Sequence, residues 1–286
     1  MIRFLSFLFV VLWSSAFITG KVIVQYGSPF ASLSFRFAIV AFGFFCFAIL
    51  FKDKIKIKSI NIIESSISGI LFHGLYLGGC FYAFSIGLPA SISALIVSMQ
   101  PILTNLLAGP VLKEKVTSNQ WIGIFFAFTG TLLVLGLDIG TKIPINGLIA
   151  TVVALVAVTI GTLWQKKLSG KIPLSVSNFY QAFAASIFLF IVMLLFENPF
   201  IDLNIKFILS MSWQILVVSF GAFTILMFLI KVGSASKTSN LFFLVPPVSA
   251  FMGWIFLNEN IRIYDIFGLI ICSFGVYIAT KNSTLK

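Results

Sequence analysis

Ten long apolar runs divide this chain of 286 residues, and they constrain its fold more than any other feature. Each run has about 20 residues, the length that an α-helix needs to cross a hydrocarbon layer roughly 30 Å thick. The runs are too long for membrane strands and lack their two-residue alternation, which excludes a β-barrel. The pattern therefore predicts an all-α membrane protein with ten transmembrane helices. We place them at 4–26, 30–51, 62–86, 89–112, 119–137, 145–167, 174–196, 211–231, 234–257 and 262–280.

The small number of charged residues indicates that lipid surrounds the chain. Charged residues make up 9% of it and hydrophobic residues 59%, whereas soluble proteins carry roughly 25% charged residues. The net charge of +11 would suggest nucleic acid in a soluble protein, but the basic residues stand in short clusters between apolar runs. We therefore expect membrane lipid as a partner and no nucleic acid. Cys46, Cys80 and Cys272 lie inside apolar runs without metal-ligand spacing, which predicts buried thiols, no metal site and no cofactor.

The distribution of the basic residues predicts the orientation. If successive runs cross the membrane in alternate directions, 14 of the Lys and Arg residues lie on the side of the N-terminus, 4 lie on the other side, and Arg36 lies within a span. Cytoplasmic loops carry the excess of Lys and Arg, so both termini are expected in the cytoplasm. The first run follows Arg3 as a signal peptide would, but it has no clear small-residue cleavage site before Tyr26, and we expect it to stay as a helix.

The second half of the chain repeats the first at an offset of 145 residues. The residues Ala90, Ser91, Pro101, Leu112, Glu114, Gly123 and Gly130 recur as Ala235, Ser236, Pro246, Leu257, Glu259, Gly268 and Gly275. Each half holds five helices, an odd number, so the second half must enter the membrane in the opposite direction. We predict two inverted five-helix repeats, 1–140 and 141–286. In this architecture a site between the repeats is exposed alternately to the two sides.

Several motifs resemble the EamA-like branch of the drug/metabolite transporter (DMT) superfamily. They are the stretch from Trp13 to Phe17, Pro29 followed by Arg36 and Phe37, and the stretch from Pro101 to Glu114 with its repeat from Pro246 to Glu259. The resemblance implies a carrier in the bacterial inner (plasma) membrane, commonly an exporter of amino acids or related metabolites. It also implies a solute path lined by helices one to four and six to nine, with helices five and ten at the periphery. Ser14 departs from the family, which often has glycine there.

Polar residues inside apolar runs are the first candidates for a site, because they are costly in lipid. His73, the single histidine, lies near the middle of the third run with Tyr76 on the same face, and Arg36 lies seven residues after Pro29. Two interpretations stay open for each. His73 either contacts solute or is a neutral histidine bonded to a neighbouring helix, and Arg36 either contacts an anion or extends to the membrane surface. Any proton coupling should depend on His73.

Prolines near the middle of the fourth and ninth runs predict helix kinks at Pro101, Pro246 and Pro247, because each proline removes a backbone donor. A carbonyl that loses its donor at this depth must face protein or a wet cavity. Polar residues beside the kinks are therefore candidates for the lining of the path. Aromatic residues are further candidates, because they could form a wall for the solute. The predicted substrate-binding residues are Trp13, Ser15, Arg36, His73, Tyr76, Tyr82, Gln100, Asn105, Trp164 and Asn240. Trp164, near the lysines, could equally anchor the membrane interface.

These features favour a secondary transporter that exports small carboxylate-bearing metabolites such as amino acids by alternating access. Arg36 and Lys237 place cations near opposite ends of the path, and no carboxylate lies in the middle of a run. Export of drugs or other amphipathic solutes is the alternative, followed by a channel or an intramembrane enzyme. We expect no enzyme, because one histidine without a carboxylate pair or a phosphate loop cannot supply acid/base or nucleophilic chemistry. A monomer and a homodimer both remain open.

Overall fold

A computed structural model describes residues 2–53, 55–88, 93, 96–135, 144–257 and 263–281, and these residues form ten long helices. We number the helices in chain order. They are α1 (Ile2–Tyr26), α2 (Pro29–Leu50), α3 (Ser59–Ser85), α4 (Gln100–Leu112), α5 (Ser118–Leu135), α6 (Ile145–Leu168), α7 (Leu174–Phe196), α8 (Ile205–Val232), α9 (Ala235–Asn240, Leu241–Leu244 and Val245–Leu257 in succession) and α10 (Ile263–Lys281). The prediction of an all-α membrane protein with ten transmembrane helices is confirmed.

The outer surface of the bundle is apolar. Within the described residues, six helices are long and apolar enough to cross a membrane, as judged by length and composition. They are α1, α2, α3, α6, α7 and α8. Large side chains such as Phe42, Phe125 and Leu195 point outward and are 69%, 67% and 70% exposed. Exposing one such side chain to water costs about 1.5–3 kcal/mol relative to burying it. This surface is therefore suited to lipid.

Two helices begin three or more residues earlier than the apolar runs predict. α8 starts at Ile205, not at 211, because the Asn204 side chain caps it by accepting a hydrogen bond from Phe207 N at 3.0 Å. Lys206, which we expected in a linker, therefore stands in the first turn. α3 starts at Ser59, not at 62. A membrane helix can begin with a turn of polar residues outside the hydrocarbon layer. Such a turn is not part of an apolar run, so hydropathy alone does not place the start of the helix.

The helices cross in alternate directions, which defines two faces of the bundle. At the face where α1 begins, here called the N-terminal face, Lys171 pairs with Glu64 at 2.8 Å, joining the start of α7 to the start of α3. At the opposite face, the Tyr26 carbonyl accepts a hydrogen bond from Asp202 N at 2.7 Å. A single antiparallel β-bridge between Gly27 and Ile201 strengthens this second contact, which joins the two repeats.

The packing of the helices follows the inverted repeat. α1 contacts α8 and α9, and its counterpart α6 contacts α3 and α4. α3 and α8 each widen into a π-helical section, at Ile70–Leu77 and at Gln214–Ala222. These sections are 145 residues apart, within one residue. The identities at this offset lie in or next to the fourth and fifth helices of each repeat, and the π-helical sections extend the correspondence to the third helices. Ala90, Ser91, Glu259 and the predicted boundary near residue 140 lie outside the described residues.

Glycines hold α5 and α10 in direct backbone contact. A Cβ atom added at Gly123 would lie 2.5 Å from both Ala279 N and Gly275 O. Gly130 likewise lies against Gly268 and the backbone of α10. Small residues of this kind allow membrane helices to approach closely. The two glycine pairs, Gly123/Gly130 and Gly268/Gly275, are each seven residues apart and thus line one packing seam between the two helices.

Carboxylates join α2 and α7, which run antiparallel. Glu197, directly after α7, accepts hydrogen bonds from Phe30 N at 2.9 Å and Ala31 N at 3.1 Å, in the first turn of α2. At the other end, Asp53 follows α2 and accepts a hydrogen bond from the Ser175 hydroxyl in the first turn of α7. A negative charge at a helix N-terminus is favourable. Burial nevertheless raises the pKa of the Glu197 carboxyl above its ordinary value, although the two backbone hydrogen bonds oppose that rise.

Candidate functional site

A cavity lies between the repeats, in the half of the bundle nearer the opposite face. It is lined by α1, α2, α3 and α8, and most of its wall is apolar or aromatic. The lining residues are Trp13, Ala16, Phe17, Arg36, His73, Tyr76, Leu77, Cys80, Phe81, Phe84, Gln214, Val218, Ser219 and Phe223. A largely apolar cavity with a few converging polar groups is the usual form of a small-molecule site.

Arg36 is the charged residue of this cavity. Its side chain is 3% exposed, and Nε and Nη2 both donate to the Ser219 hydroxyl, at 3.0 and 2.9 Å. The guanidinium carbon also lies 5.0 Å from the centre of the Phe37 ring. A guanidinium has five N–H donors, so three of them find no acceptor in the described part of the chain. No carboxylate there pairs with Arg36 either, since the ion pair found joins Lys171 to Glu64.

His73 lies beside Arg36 between two aromatic rings. Its ring centre is 4.4 Å from that of Phe37 and 4.4 Å from that of Phe223. The imidazole is 5% exposed, and its Nδ1 has no hydrogen-bond partner among the described residues. A buried polar atom without a partner costs about 1–3 kcal/mol. Such an atom in the wall of a cavity can be satisfied by water or by a solute.

Trp13 on α1 and Tyr76 on α3 also line the cavity. The Tyr76 ring packs edge-on against Phe72, with ring centres 6.3 Å apart. Trp13, Phe9 and Phe242 also contact one another, with ring centres 5.4 to 5.6 Å apart. Below this aromatic cluster lies a second depression at the N-terminal face, lined by residues that include Arg3 and Lys237. Tyr277 and Thr280 of α10 contribute to this depression, whereas the cavity lining contains no residue of the described part of α10.

Gln214 and Ser219 on α8 belong to the cavity, and the sequence analysis missed them. Gln214 is fully buried, and its Nε2 donates to the Ala16 carbonyl at 2.8 Å and to Thr19 Oγ1 at 2.9 Å. Because the Ala16 carbonyl can only accept, the amide orientation is determined, and Oε1 is left without a partner among the residues described. The signal was present: Gln214 is a polar residue inside an apolar run, as Arg36 and His73 are.

Six predicted residues lie outside the cavity lining, and three of them, Ser15, Tyr82 and Trp164, contact side chains or backbone elsewhere. The Ser15 hydroxyl donates to the Leu12 carbonyl and accepts a hydrogen bond from the Trp213 indole at 2.8 Å. Tyr82 stacks on Phe30, with ring centres 6.0 Å apart. Trp164 donates to the Glu64 carbonyl at 3.1 Å at the N-terminal face, which suits the anchoring alternative.

Gln100, Asn105 and Asn240 lie in the contact between α4, α6 and α9. Asn105 donates to Asn240 Oδ1 at 2.8 Å, and Gln100 donates to Thr162 at 3.2 Å. All three amides are 2% exposed or less. Glu114, at the end of α4, accepts hydrogen bonds from the backbone at the start of α9, Ala235 N at 3.0 Å and Ser236 N at 3.2 Å. This contact joins α4 to α9 on the N-terminal side of the cavity.

The prolines begin helical segments. Pro101 lies in the first turn of α4, and Pro246 and Pro247 lie at the start of the last segment of α9, after a 3₁₀ turn. Proline is well suited to a first turn, where its missing N–H has no partner to lose. The Phe243 carbonyl, four residues before Pro247, accepts hydrogen bonds from Thr131 Oγ1 and Cys272 Sγ instead.

Of the cysteines, Cys80 and Cys272 are buried and Cys46 is partly exposed. Within the described ranges, no three His, Cys, Asp or Glu side chains are grouped closely enough to hold a metal ion. The chemistry that the cavity offers is hydrogen bonding and charge pairing by Arg36, beside neutral polar atoms and aromatic faces.

Known proteins match this chain over almost its whole length. The EamA-like transporter family matches residues 1–136 and again residues 145–281. The chain belongs to the EamA-like transporter family. The resemblance seen in the motifs is thus confirmed, and the family places the chain among membrane transporters, not enzymes.

Individual relatives agree with this family. The chain is 28% identical to "Uncharacterized transporter YyaM" of Bacillus subtilis, over 95% of this chain and 91% of the relative. It is 25% identical to a "Probable amino-acid metabolite efflux pump" of Salmonella typhimurium, over 96% of this chain and 93% of the relative. One crystal structure matches with a TM-score of 0.83 at 16% identity, over 98% of this chain and 96% of the other, which shows that the fold is shared.

Proposed function

We propose that this transporter exports small carboxylate-bearing metabolites, such as amino acids, by alternating access between the two inverted repeats. Arg36 is the observation that carries the proposal. It is a buried cation in the wall of the central cavity, with three free N–H donors and no carboxylate partner among the described residues. An unpaired charge inside a membrane protein is costly, and a solute carboxylate would supply the missing partner.

The other cavity residues suit the rest of such a solute. Gln214 Oε1 and His73 Nδ1 have no partner in the part of the chain that the structure describes, so an ammonium group would find an acceptor close to the cation. The rings of Trp13, Phe81 and Phe223 provide an apolar wall for a side chain. A zwitterion with an apolar side chain matches this combination of groups.

The direction of transport and the orientation are part of the proposal. The excess of Lys and Arg on the N-terminal face favours a cytoplasmic location for that face in the bacterial inner membrane. Two relatives, from Salmonella typhimurium and Escherichia coli, are named as probable amino-acid metabolite efflux pumps, at 25% and 23% identity. Export from the cytoplasm agrees with both observations.

Substitution of Arg36 tests the proposal. The purified chain is reconstituted into liposomes, and uptake of a radiolabelled amino-acid mixture is inhibited by a matched acid, amide and amine. The acid should compete best with the unchanged protein. Arg36→Gln should weaken inhibition by the acid about ten- to hundredfold, because a hydrogen bond to a charged group contributes about 1.5–3 kcal/mol, and should change inhibition by the amide much less.

Lys167→Gln is the matched control, since it removes the same unit charge from an exposed position at the end of α6. It should leave the order of the three inhibitors unchanged. Equal inhibition by acid, amide and amine in the unchanged protein would contradict a carboxylate contact at Arg36.

A further inference from the structure

A group of buried polar side chains lies between α3, α6 and α7, outside the cavity. Its members, here called the α3/α6/α7 cluster, are Ser65, Ser68, Gln165, Ser177, Asn178 and Gln181, and each is 2% exposed or less. Ser68 donates to Gln165 Oε1 at 3.0 Å, and Gln181 Nε2 donates to Gln165 Oε1 at 3.2 Å and to Ser177 at 2.9 Å. The cluster lies in the half of the bundle nearer the N-terminal face.

The cluster is incompletely hydrogen-bonded. Ser65 Oγ and both side-chain atoms of Asn178, Nδ2 and Oδ1, have no partner among the described residues. Each unpartnered buried group costs about 1–3 kcal/mol, and simple packing would be served better by apolar residues of the same size. Polar groups that are unsatisfied in one conformation are explained if another conformation exposes them to water or solute.

The repeat relates this cluster to the cavity. At the offset of 145 residues, Gln181 corresponds to Arg36, so it takes the position of the cation in the inverted repeat. On α3, Gly69 and Gly74 correspond to Gln214 and Ser219 of the cavity wall. The cluster therefore occupies the place where a second cavity would lie if the two repeats exchanged conformations.

Close packing fills that place in this structure. A Cβ atom at Gly69 would lie 2.5 Å from Gln181 Cα, and one at Gly74 would lie 2.6 Å from a ring carbon of Phe188. The contact continues toward the opposite face, because a Cβ atom added at Gly78 would lie 3.3 Å from Leu189 Cδ2. α3 and α7 thus run side by side and in parallel along the length of the contact.

We propose that the α3/α6/α7 cluster is a second polar site of the solute path, closed in this conformation and opened to the N-terminal face when α3 and α7 separate. The inference rests on the proposed function, because it assigns the cluster to the same transported solute. The site is uncharged, and its amides and hydroxyls offer hydrogen bonds in place of the ion pair at Arg36. A carboxylate-bearing solute is therefore held more weakly in the cluster than at Arg36, and it enters and leaves this site more readily.

Cysteine labelling tests the opening without any substrate. Two single-cysteine proteins are reconstituted into liposomes: one keeps Cys80 in the cavity, and the other carries Ser177→Cys, with the remaining native cysteines replaced by serine. A charged, membrane-impermeant thiol reagent should label both. Adding Gly69→Ala, whose Cβ opposes the contact with Gln181, should raise the labelling rate at position 177 about tenfold and lower the rate at Cys80. A tenfold shift corresponds to about 1.4 kcal/mol.

Gly221→Ala is the matched control, because its Cβ would meet nothing closer than 3.5 Å and lies in the equivalent π-helical section of α8. It should change neither rate. If position 177 stays unlabelled in both backgrounds while Cys80 is labelled, the cluster does not open and the inference is overturned. This result leaves the carboxylate contact at Arg36 untouched, since that contact is tested by inhibition.

Asn178→Leu separates a role in the path from a role in packing. The substitution removes both unpartnered atoms and keeps the number and branching of the side-chain heavy atoms, so the melting temperature should rise. Transport of a radiolabelled amino-acid mixture should fall at least several-fold, because an apolar residue replaces a wet one in the open state. A variant that is more stable and transports at the unchanged rate would show that the cluster is only a packing element.

Discussion

Arg36 on α2 and Gln181 on α7 occupy equivalent positions in the two repeats, but their surroundings differ. Arg36 lies in the wall of a cavity, whereas Gln181 lies in a fully packed contact. The partner helices explain the difference. At three equivalent positions α3 has the glycines Gly69, Gly74 and Gly78. At the same positions α8 has larger residues, which are Gln214, Ser219 and Phe223.

The comparison shows how one scaffold produces an asymmetric path. The glycines of α3 let the backbone of α7 approach within contact distance, while the side chains at the same positions of α8 hold α2 away and line a cavity. Small residues in membrane helices lower the distance at which two helices pack. In this conformation, the glycines at these three positions of α3 thus accompany the packed half of the bundle, and the larger side chains at the same positions of α8 accompany the half with the cavity.

The largest expected effect comes from placing the cation of the cavity in the packed half. Gln181→Arg would bury a charge among Ser68, Gln165 and Ser177, which offer no carboxylate. An uncompensated buried charge destabilises by about 3–5 kcal/mol, and we expect a correspondingly lower melting temperature in detergent. Gln181→Met, the uncharged control of similar length, should cost about 1 kcal/mol. Equal melting temperatures for the two variants would show that this half is not closed.

Much of this asymmetry was visible in the sequence. Arg36, His73 and Tyr76 are candidates from the sequence because polar groups are costly in lipid, although a second interpretation stays open there for Arg36 and His73. The structure places all three in one cavity. The offset of 145 residues predicted the inverted repeats.

The remaining site residues could not be placed from the sequence. A π-helical turn adds a residue to the helix and rotates all later side chains, so the face that Ser219 occupies does not follow from a period of 3.6 residues. Tyr82 and Trp164 lie outside the cavity. The sequence does not decide their location, because aromatic residues suit both a cavity wall and a surface position. Which repeat is packed and which holds the cavity depends on contacts between distant helices.

A second prediction concerns the seam between α5 and α10, which both halves share. Gly123→Ala would place a Cβ against the backbone of Gly275 and Ala279, and overpacking of this kind costs about 1–3 kcal/mol. We expect a lower melting temperature with unchanged labelling of Cys80. Gly109→Ala is the control, because its Cβ would lie 3.8 Å from its nearest neighbour, Glu114 O. If Gly123→Ala alters Cys80 labelling, the seam takes part in the conformational difference.

A third prediction tests how Arg36 is held. Ser219→Ala removes the hydroxyl that accepts from Nε and Nη2, so the guanidinium loses its orientation but keeps its charge. Loss of about 1 kcal/mol of hydrogen bonding should weaken inhibition by a carboxylic acid about fivefold. Thr159→Ala is the control, since its hydroxyl bonds only to the Leu155 carbonyl of its own helix. An unchanged acid-to-amide preference in Ser219→Ala would mean that Arg36 is positioned by its ring contact with Phe37.

The smallest expected effect concerns the carboxylate that joins α7 to α2 at the opposite face. Burial raises the pKa of Glu197 in the folded protein above its value in the unfolded chain, despite the hydrogen bonds from Phe30 N and Ala31 N. The folded state therefore binds the proton more readily, and this contribution to stability is present at low pH and is lost as the pH rises through the raised pKa. Glu197→Gln cannot titrate. The melting temperature of the unchanged protein minus that of the variant should increase by about 1–2 °C as the pH falls from about 7 to about 4. Scanning fluorimetry of both proteins across this range measures the difference, and a difference that shrinks toward low pH would mean that the two backbone hydrogen bonds outweigh the burial of the carboxylate.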